Sequence, residues 1–306
     1  MREFEFIQWL RGQGRFDPDV VGVGPGDDCA VVRLGGEELL ITTDQVLDGV
    51  HVLLIEHGPE AAGRKAAARA LSDVAAMASL PLAMVATVAA PAGLSRADAE
   101  AIYHGLRSAS DPFDCPLVGG DLAAWPEGAG RLGISVTIVV RPAGIEPVLR
   151  SGARAGDAIC VTGAFGGAWR SRRHLDFAPR VREARALAAG GRLHAMIDVS
   201  DGLAADLRHV CAASGVAAEI DAAAVPCHDD AAADADARLA AALGDGEDYE
   251  LLFTLAPGDA DVLLRDPPPA APVTRIGRIV AGAGAVLRHA DGRREPLDAP
   301  GWEHET

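Results

Sequence analysis

Lysine is nearly missing from this sequence. Among its 28 basic residues only Lys65 is a lysine, and the other 27 are arginines. Lys65 sits in GRKAA, so no G-x-x-x-x-G-K-[ST] loop can be written anywhere, which excludes a P-loop kinase or ATPase. Cysteine is sparse and unpaired in pattern. The five, at 29, 115, 160, 211 and 227, are odd in number and form no C-x-x-C. That argues against a disulfide framework or a zinc ribbon, and for free buried thiols in a reducing cytoplasm. A basic footprint is also lacking. The formal net charge is −16, the wrong sign for a nucleic-acid partner. No apolar run approaches the roughly 18–20 residues of a membrane span. The N-terminal MREFEFIQWLRGQ is charged from residue 2 and lacks the apolar centre of a signal peptide; it reads as a first helix. Tandem repeats and coiled-coil heptads are absent too.

The chain has 306 residues, nearly half of them hydrophobic, enough for two domains of a mixed α/β kind. Strands are expected at 28–34, 38–43 and 82–90, in CPLVGGD and in GISVTIVVRP. Helices are expected over the Ala-rich 60–79 and from the N-cap Ser95 onward. RPAGIEPVLRSGARAGD, 141–157, is Pro/Gly-rich and aperiodic, which suggests domains of 1–143 and 144–306. Beyond it, AICVT, AMIDVS and YELLFTL read as strands, and 180–190, GLAADLRHVCAAS and APGDADVLLRD as helices. AAADADARLAAAL is compositionally biased but can form a helix, and short strands and turns close the chain over 272–300.

The acids fall in unusual places. Asp27 and Asp28 follow the glycine-rich GVGPG. Asp44 is expected to close a strand, and Asp121 another. Asp198 and Asp201 bracket Ser200 at the end of AMIDVS. Glu247 and Asp248 precede YELLFTL, and Asp73 lies within a helix among small apolar neighbours. An ionised carboxylate beside apolar segments is costly unless it is hydrogen-bonded, paired or bound to a cation. Each position alone also reads as a turn or cap residue, Asp201 as the N-cap of the following helix, and Asp73 as the ion-pair partner of Arg69 four residues earlier. Taken together, carboxylates without lysines suggest Mg²⁺, a hard cation that prefers oxygen and is often shared with substrate phosphates. Such a cation lets a strongly acidic protein accept a polyphosphate. Glycines in GVGPG, at 119–120 and in TGAFGG would let backbone N–H groups approach phosphate oxygens.

In order along the chain, GVGPGDDCAVV, TTDQVLDGVH, LSDVAAM, VGGD, RSGARAGD, IDVSDGLAADL and GEDYELLFT resemble the thiamine-monophosphate kinase family, from about residue 20 to the final GWEH. That family lies in an ATP-binding superfamily with aminoimidazole ribonucleotide synthetase, selenophosphate synthetase and a hydrogenase maturation protein. The resemblance implies the two-domain fold of aminoimidazole ribonucleotide synthetase, each domain a sheet with packed helices. It implies a homodimer formed through the N-terminal sheets. It also implies direct in-line phosphoryl transfer from ATP, the co-substrate, to thiamine monophosphate, assisted by several Mg²⁺ ions. Asp28, Thr42, Thr43, Asp44, Asp73, Asp121, Asp198 and Asp201 match metal ligands, with Asp44, Asp121 and Asp201 closest to the chemistry. Gly120, Asp121, Arg150 and Ser200 match ATP contacts; His51, Glu247 and Trp302 match substrate contacts. Some positions depart from the family pattern: Asp245 stands for a glycine, Leu122 for a threonine and Val52 for a phenylalanine. The segment after Gly167 is short, and the ending HET lacks the usual aromatic. Other enzymes of the superfamily, or a nucleotide- and Mg²⁺-binding module without turnover, are the competing readings. No cysteine stands in the glycine-rich N-terminal region as selenophosphate chemistry would need, and no cysteine motif ends the chain as in the hydrogenase maturation protein.

Overall fold

Alternating apolar residues build two separate sheets, one in each half of the chain. The structure, a computed structural model, describes residues 3–14, 16–190, 192–267, 272–298 and 301–302. The first half runs α1 (Glu3–Gln13), β1 (Val21–Val23), β2 (Ala30–Leu34), β3 (Glu37–Leu47), α2 (Leu54–Ala76), β4 (Leu80–Ala90), α3 (Arg96–Ser110), β5 (Leu117–Ala124) and β6 (Gly133–Arg141). Among the described residues its sheet has six strands in the order β1-β2-β3-β6-β4-β5, antiparallel except for β4–β5.

The second half runs β7 (Ala158–Thr162), α4 (Ala168–Ser171), α5 (Arg173–Asp176), α6 (Val181–Ala188), β8 (Leu193–Val199), α7 (Leu203–Ser214), β9 (Ala217–Asp221), α8 (Ala235–Gly244), β10 (Glu250–Leu255), α9 (Pro257–Arg265), β11 (Val273–Val280), β12 (Gly284–Arg288) and β13 (Arg294–Pro296). Its sheet has seven described strands in the order β13-β12-β9-β11-β7-β10-β8. The fold is therefore a two-domain, mixed α/β arrangement, a sheet with packed helices in each half.

Helix α2 lies against both halves. Its alanines are buried on several sides, because a methyl group is all the space allows: Ala62, Ala66, Ala67, Ala70 and Ala75 are fully or almost fully covered. The helix breaks at Gly58, whose φ of 79° is open to glycine, and resumes at Pro59, a residue suited to a first helical position. It crosses α3 closely. A Cβ on Gly63 would lie 2.2 Å from the Ile102 carbonyl oxygen, and one on Gly105 would lie 1.9 Å from that of Glu60. At its far end Ala75 packs into an apolar cluster with Met196, Leu251 and Phe253 of the second sheet.

Several elements differ from the sequence reading. Strand β3 extends to Leu47, so Asp44 lies inside it rather than at its end; β5 likewise runs past Asp121 to Ala124. Pairing with β6 continues along β3 to Leu47, which holds the strand beyond its apolar run. Strand β9 has no expected counterpart. It is stabilised by β11 and β12, both distant in sequence, and shows no local alternation.

Candidate active site in the seam between the sheets

Strand β8 ends in a sharp turn, Ser200–Gly202, that feeds helix α7. Asp206, buried in the first turns of that helix, reaches back and accepts the backbone N–H groups of Asp201 and Gly202, both at 3.1 Å. The loop before β10 packs on this turn backbone to backbone. Glu247 N–H donates to the Ser200 carbonyl at 2.8 Å, and Tyr249 N–H to that of Val199 at 2.8 Å. The chain end is strapped to the same place, with Trp302 N–H on the Asp201 carbonyl at 2.9 Å.

Three carboxylates from three distant segments meet here. One oxygen each of Asp28, Asp73 and Asp198 lie within 4.8 Å of one another. Asp28 follows the glycine turn before β2, Asp73 comes from α2 and Asp198 from β8. Asp73 accepts a short hydrogen bond from Thr42, and Asp198 one from Ser72 at 2.6 Å across the seam. Burial raises the proton affinity of Asp73 well above the carboxylate range, helped by the charges of Asp198, Asp44 and Asp28. Burial, with the charge of Asp28, likewise pushes Asp198 up to about 7. Oδ2 of Asp28 is buried without a hydrogen-bond partner among the described residues. Its other oxygen takes Arg150 Nη2 at 2.5 Å, while the backbone N–H of Arg150 donates to Asp27 at 3.2 Å. A buried all-oxygen set with an orphaned acceptor fits a hard divalent cation such as Mg²⁺.

A second group of side chains lies along α2 toward Glu247. Arg69 donates to both oxygens of Asp44, at 2.6 and 3.0 Å, and its Nη1 lies 3.9 Å from Glu247. The sequence pairs Arg69 with Asp73; the structure gives it to Asp44 on β3. Lys65, fully buried, forms an ion pair with Glu247, donates to the His51 carbonyl at 2.7 Å and meets His174 Nδ1 at 2.8 Å. Burial pulls its ammonium down to about 8. Burial and the neighbouring Lys65 pull His174 down to about 3, so a neutral imidazole accepts from the ammonium. The short segment after Gly167 folds as α4 and α5 and stacks Trp169 on His174 at 4.3 Å. Beside Glu247 opens a cavity of about 250 Å³ lined by Arg173, Phe177, Arg180, His228, Asp248 and Tyr249.

Residues 26–141 match the N-terminal domain model of AIR synthase related proteins, and 154–290 the C-terminal one. The chain is 37% identical to the thiamine-monophosphate kinase of Rhodopirellula baltica, over 99% of this chain and 97% of the relative. It is 37% identical to that of Mycobacterium tuberculosis, over 98% and 91% respectively. The chain belongs to the thiamine-monophosphate kinase family. Its fold overlays the solved AaThiL complexed with AMPPCP and TMP, with a TM-score of 0.82, 29% identity and coverage of 99% and 97%.

The family motifs converge only in part within one chain. Asp28, Thr42, Asp73 and Asp198 form the cluster; Asp44 stands beside it, its charge felt by both Asp73 and Asp198. Arg150 borders it through its bond to Asp28, and Ser200 stands two residues past Asp198 in the turn after β8. Asp201 groups instead with Asp206 and His209. Thr43 faces the other side of the sheet, where its hydroxyl accepts from Thr137 at 3.0 Å. His51 is buried in the turn after β3, its Nδ1 accepting from Leu47 N–H at 3.1 Å. Glu247 lies against Lys65, and Trp302 is half exposed beside Asp201.

Asp121 is apart from all of these. Register pairs Gln45, Ser135, Thr87 and Asp121 across four strands, and Gln45 bonds Ser135 at 3.2 Å on that outer face. Three strand spacings, about 14 Å, separate Asp121 from β3, and it points to the face opposite Asp44. Gly120 is pressed against β4, where a Cβ would lie 1.9 Å from the Ala86 carbonyl oxygen.

The departure at Asp245 is accommodated. Its φ of −68° is ordinary for any residue, and the left-handed step falls on Gly246. Its carboxylate accepts from Gly167 N–H at 3.0 Å. Leu122 is exposed on edge strand β5, and Val52 is buried. The residues after Trp302 lie outside those described.

Sequence reading did not single out Lys65, Arg69, Ser72 or His174 for the site. One signal for Lys65 was available: it is the sole lysine of an arginine-rich chain.

Proposed function

We propose that this protein transfers the γ-phosphoryl group of ATP to thiamine monophosphate. An oxygen of the acceptor's phosphate forms the new bond to phosphorus, the bond to the β,γ-bridging oxygen breaks, and ADP leaves. The observation that carries this reading is the buried meeting of Asp28, Asp73 and Asp198 at the seam. Mg²⁺ held there by these acids, with Thr42 and Asp44, would neutralise phosphate charge, the main requirement of in-line phosphoryl transfer. Arg150 and the Ser200 turn border the nucleotide side. His51, Glu247 and Trp302, with the cavity beside Glu247, take the organic part of the acceptor. Residues 1–143 supply most of the metal ligands, and 144–306 complete the nucleotide and substrate site.

The working unit we propose is a homodimer. Asp121 lies on the wrong face of its own sheet for the cluster, on a surface that also exposes Ile41, Val85 and Val139. Pairing that face with a second copy covers the apolar residues and offers Asp121 to the neighbouring chain's nucleotide. Among the described residues no helix is long and apolar enough to cross a membrane. A cytoplasmic setting accords with the unpaired cysteines.

ADP release is the test. It should depend on thiamine monophosphate and Mg²⁺ together, and Asp44→Asn should lower it at least about 100-fold at limiting Mg²⁺. ATP binding without acceptor-dependent ADP release would instead describe a module that no longer turns over.

A further inference from the structure

Arg69 belongs to none of the family motifs, yet it occupies the middle of the site. Its Nε and Nη2 hold the two oxygens of Asp44, on the metal side. Its Nη1 stands 3.9 Å from Glu247 Oε1, on the organic side and beyond hydrogen-bond reach. The other oxygen of Glu247 is already taken by Lys65. Burial opposes the guanidinium's charge, but Asp44, Tyr249 and Glu247 more than offset it, so Arg69 stays protonated. Two bonds to Asp44 leave three of its five N–H donors for other acceptors.

The acceptor in the proposed reaction carries a phosphate dianion. That group must rest between the carboxylates that hold the cation and the carboxylate that meets the organic part. Two acids there repel it unless a fixed cation intervenes. Lys65 is fully buried and committed to Glu247, His51 and His174, and the Arg150 guanidinium pairs with Asp28 on the nucleotide side. Arg69, with its side chain 15% exposed, keeps donors that can reach solvent and a ligand. A planar guanidinium also suits two phosphate oxygens at once.

We propose that Arg69 is a catalytic residue that binds the phosphate of the acceptor and aligns it for transfer. This rests on the function proposed above. The test compares binding of thiamine monophosphate and of thiamine, which lacks the phosphate, by calorimetry in Mg²⁺ buffer. Wild type, Arg69→Ala and Arg69→Lys are measured alongside their KM values for both substrates. Arg69→Ala should lose about 30-fold or more in affinity for thiamine monophosphate and little for thiamine, as expected for lost charge-assisted bonds. KM for the acceptor should rise more than KM for ATP, and Arg69→Lys should recover part of the loss. Equal loss for both ligands, or undiminished binding of thiamine monophosphate, overturns the role of Arg69. If Arg69→Ala does not fold, Arg69→Lys and Arg69→Gln carry the same comparison. Failure of wild type to bind thiamine monophosphate overturns the function itself, a different result seen before any variant is read.

Discussion

Burial raises the proton affinity of Asp73 and Asp198, and the charges of Asp28 and Asp44 add to the cost of both. Replacing Asp73 by Asn removes a buried carboxyl that must bind a proton or carry a costly charge, while keeping an acceptor for Thr42. We expect Asp73→Asn to melt higher than wild type in chelator and to turn over at least about 100-fold more slowly with Mg²⁺. Thermal melts and ADP release read the two effects separately. The same charges set a pH dependence. Asp198 binds its proton up to about pH 7 in the folded chain, against 3.8 as the ordinary value. Over that window the native state holds more protons than the unfolded one, so stability in chelator should fall as pH rises and level off above it. Mg²⁺ must displace those protons, so its apparent affinity should increase over the same range. Melts across pH with chelator and with Mg²⁺ check both signs. The acids themselves were legible in the sequence, because a carboxylate beside apolar residues has a cost that needs a reason. Their partners were not. Arg69 lies one helical turn before Asp73, but α2 turns its guanidinium toward β3, where Asp44 offers two oxygens.

Helix α2 carries the site because small residues let it lie between two sheets. Its Ala and Gly content was readable as a helix, and its span was close to the expected one. Its reason for being small was not, since that depends on what crosses it. Gly105→Ala places a methyl against the Glu60 carbonyl and should cost about 2–3 kcal/mol by denaturant midpoint. Nucleotide affinity of the folded fraction should be little changed, because the crossing lies away from the acids. Lys65, on the same helix, ties the first half to the loop before β10. Lys65→Met leaves Glu247 in the seam without its nearest cation and should cost about 2 kcal/mol, a buried-pair loss reduced for partial exposure. It should also raise KM for the acceptor, since Glu247 would be free to turn. Strand β9 shows the opposite limit. Its neighbours β11 and β12 come from much later in the chain, so no local pattern announces it.

The whole molecule leaves one motif unused within a single chain. Asp121 stands on the outer face of the first sheet, away from the cluster. If the partner copy completes the site, Asp121→Asn and Asp44→Asn are each inactive alone but complementary when mixed. Random re-pairing makes half the dimers mixed, each with one intact site, so about a quarter of wild-type activity should return. Refolding the two variants together and measuring ADP release reads this directly; no recovery would place Asp121's action within its own chain or outside catalysis.

The sequence by itself determined the exclusion of a P-loop, the helical and strand segments with strong local period, and the family to which the ordered motifs point. These are local properties, set by residue type and short-range spacing. Only the tertiary structure decided which acids share a cation site, that Arg69 serves Asp44, that Lys65 serves Glu247, and that Asp121 faces away. Those neighbours are fixed by strand register and by the packing of α2 between two sheets, and such contacts join residues more than a hundred positions apart, as Ser72 and Asp198 are joined.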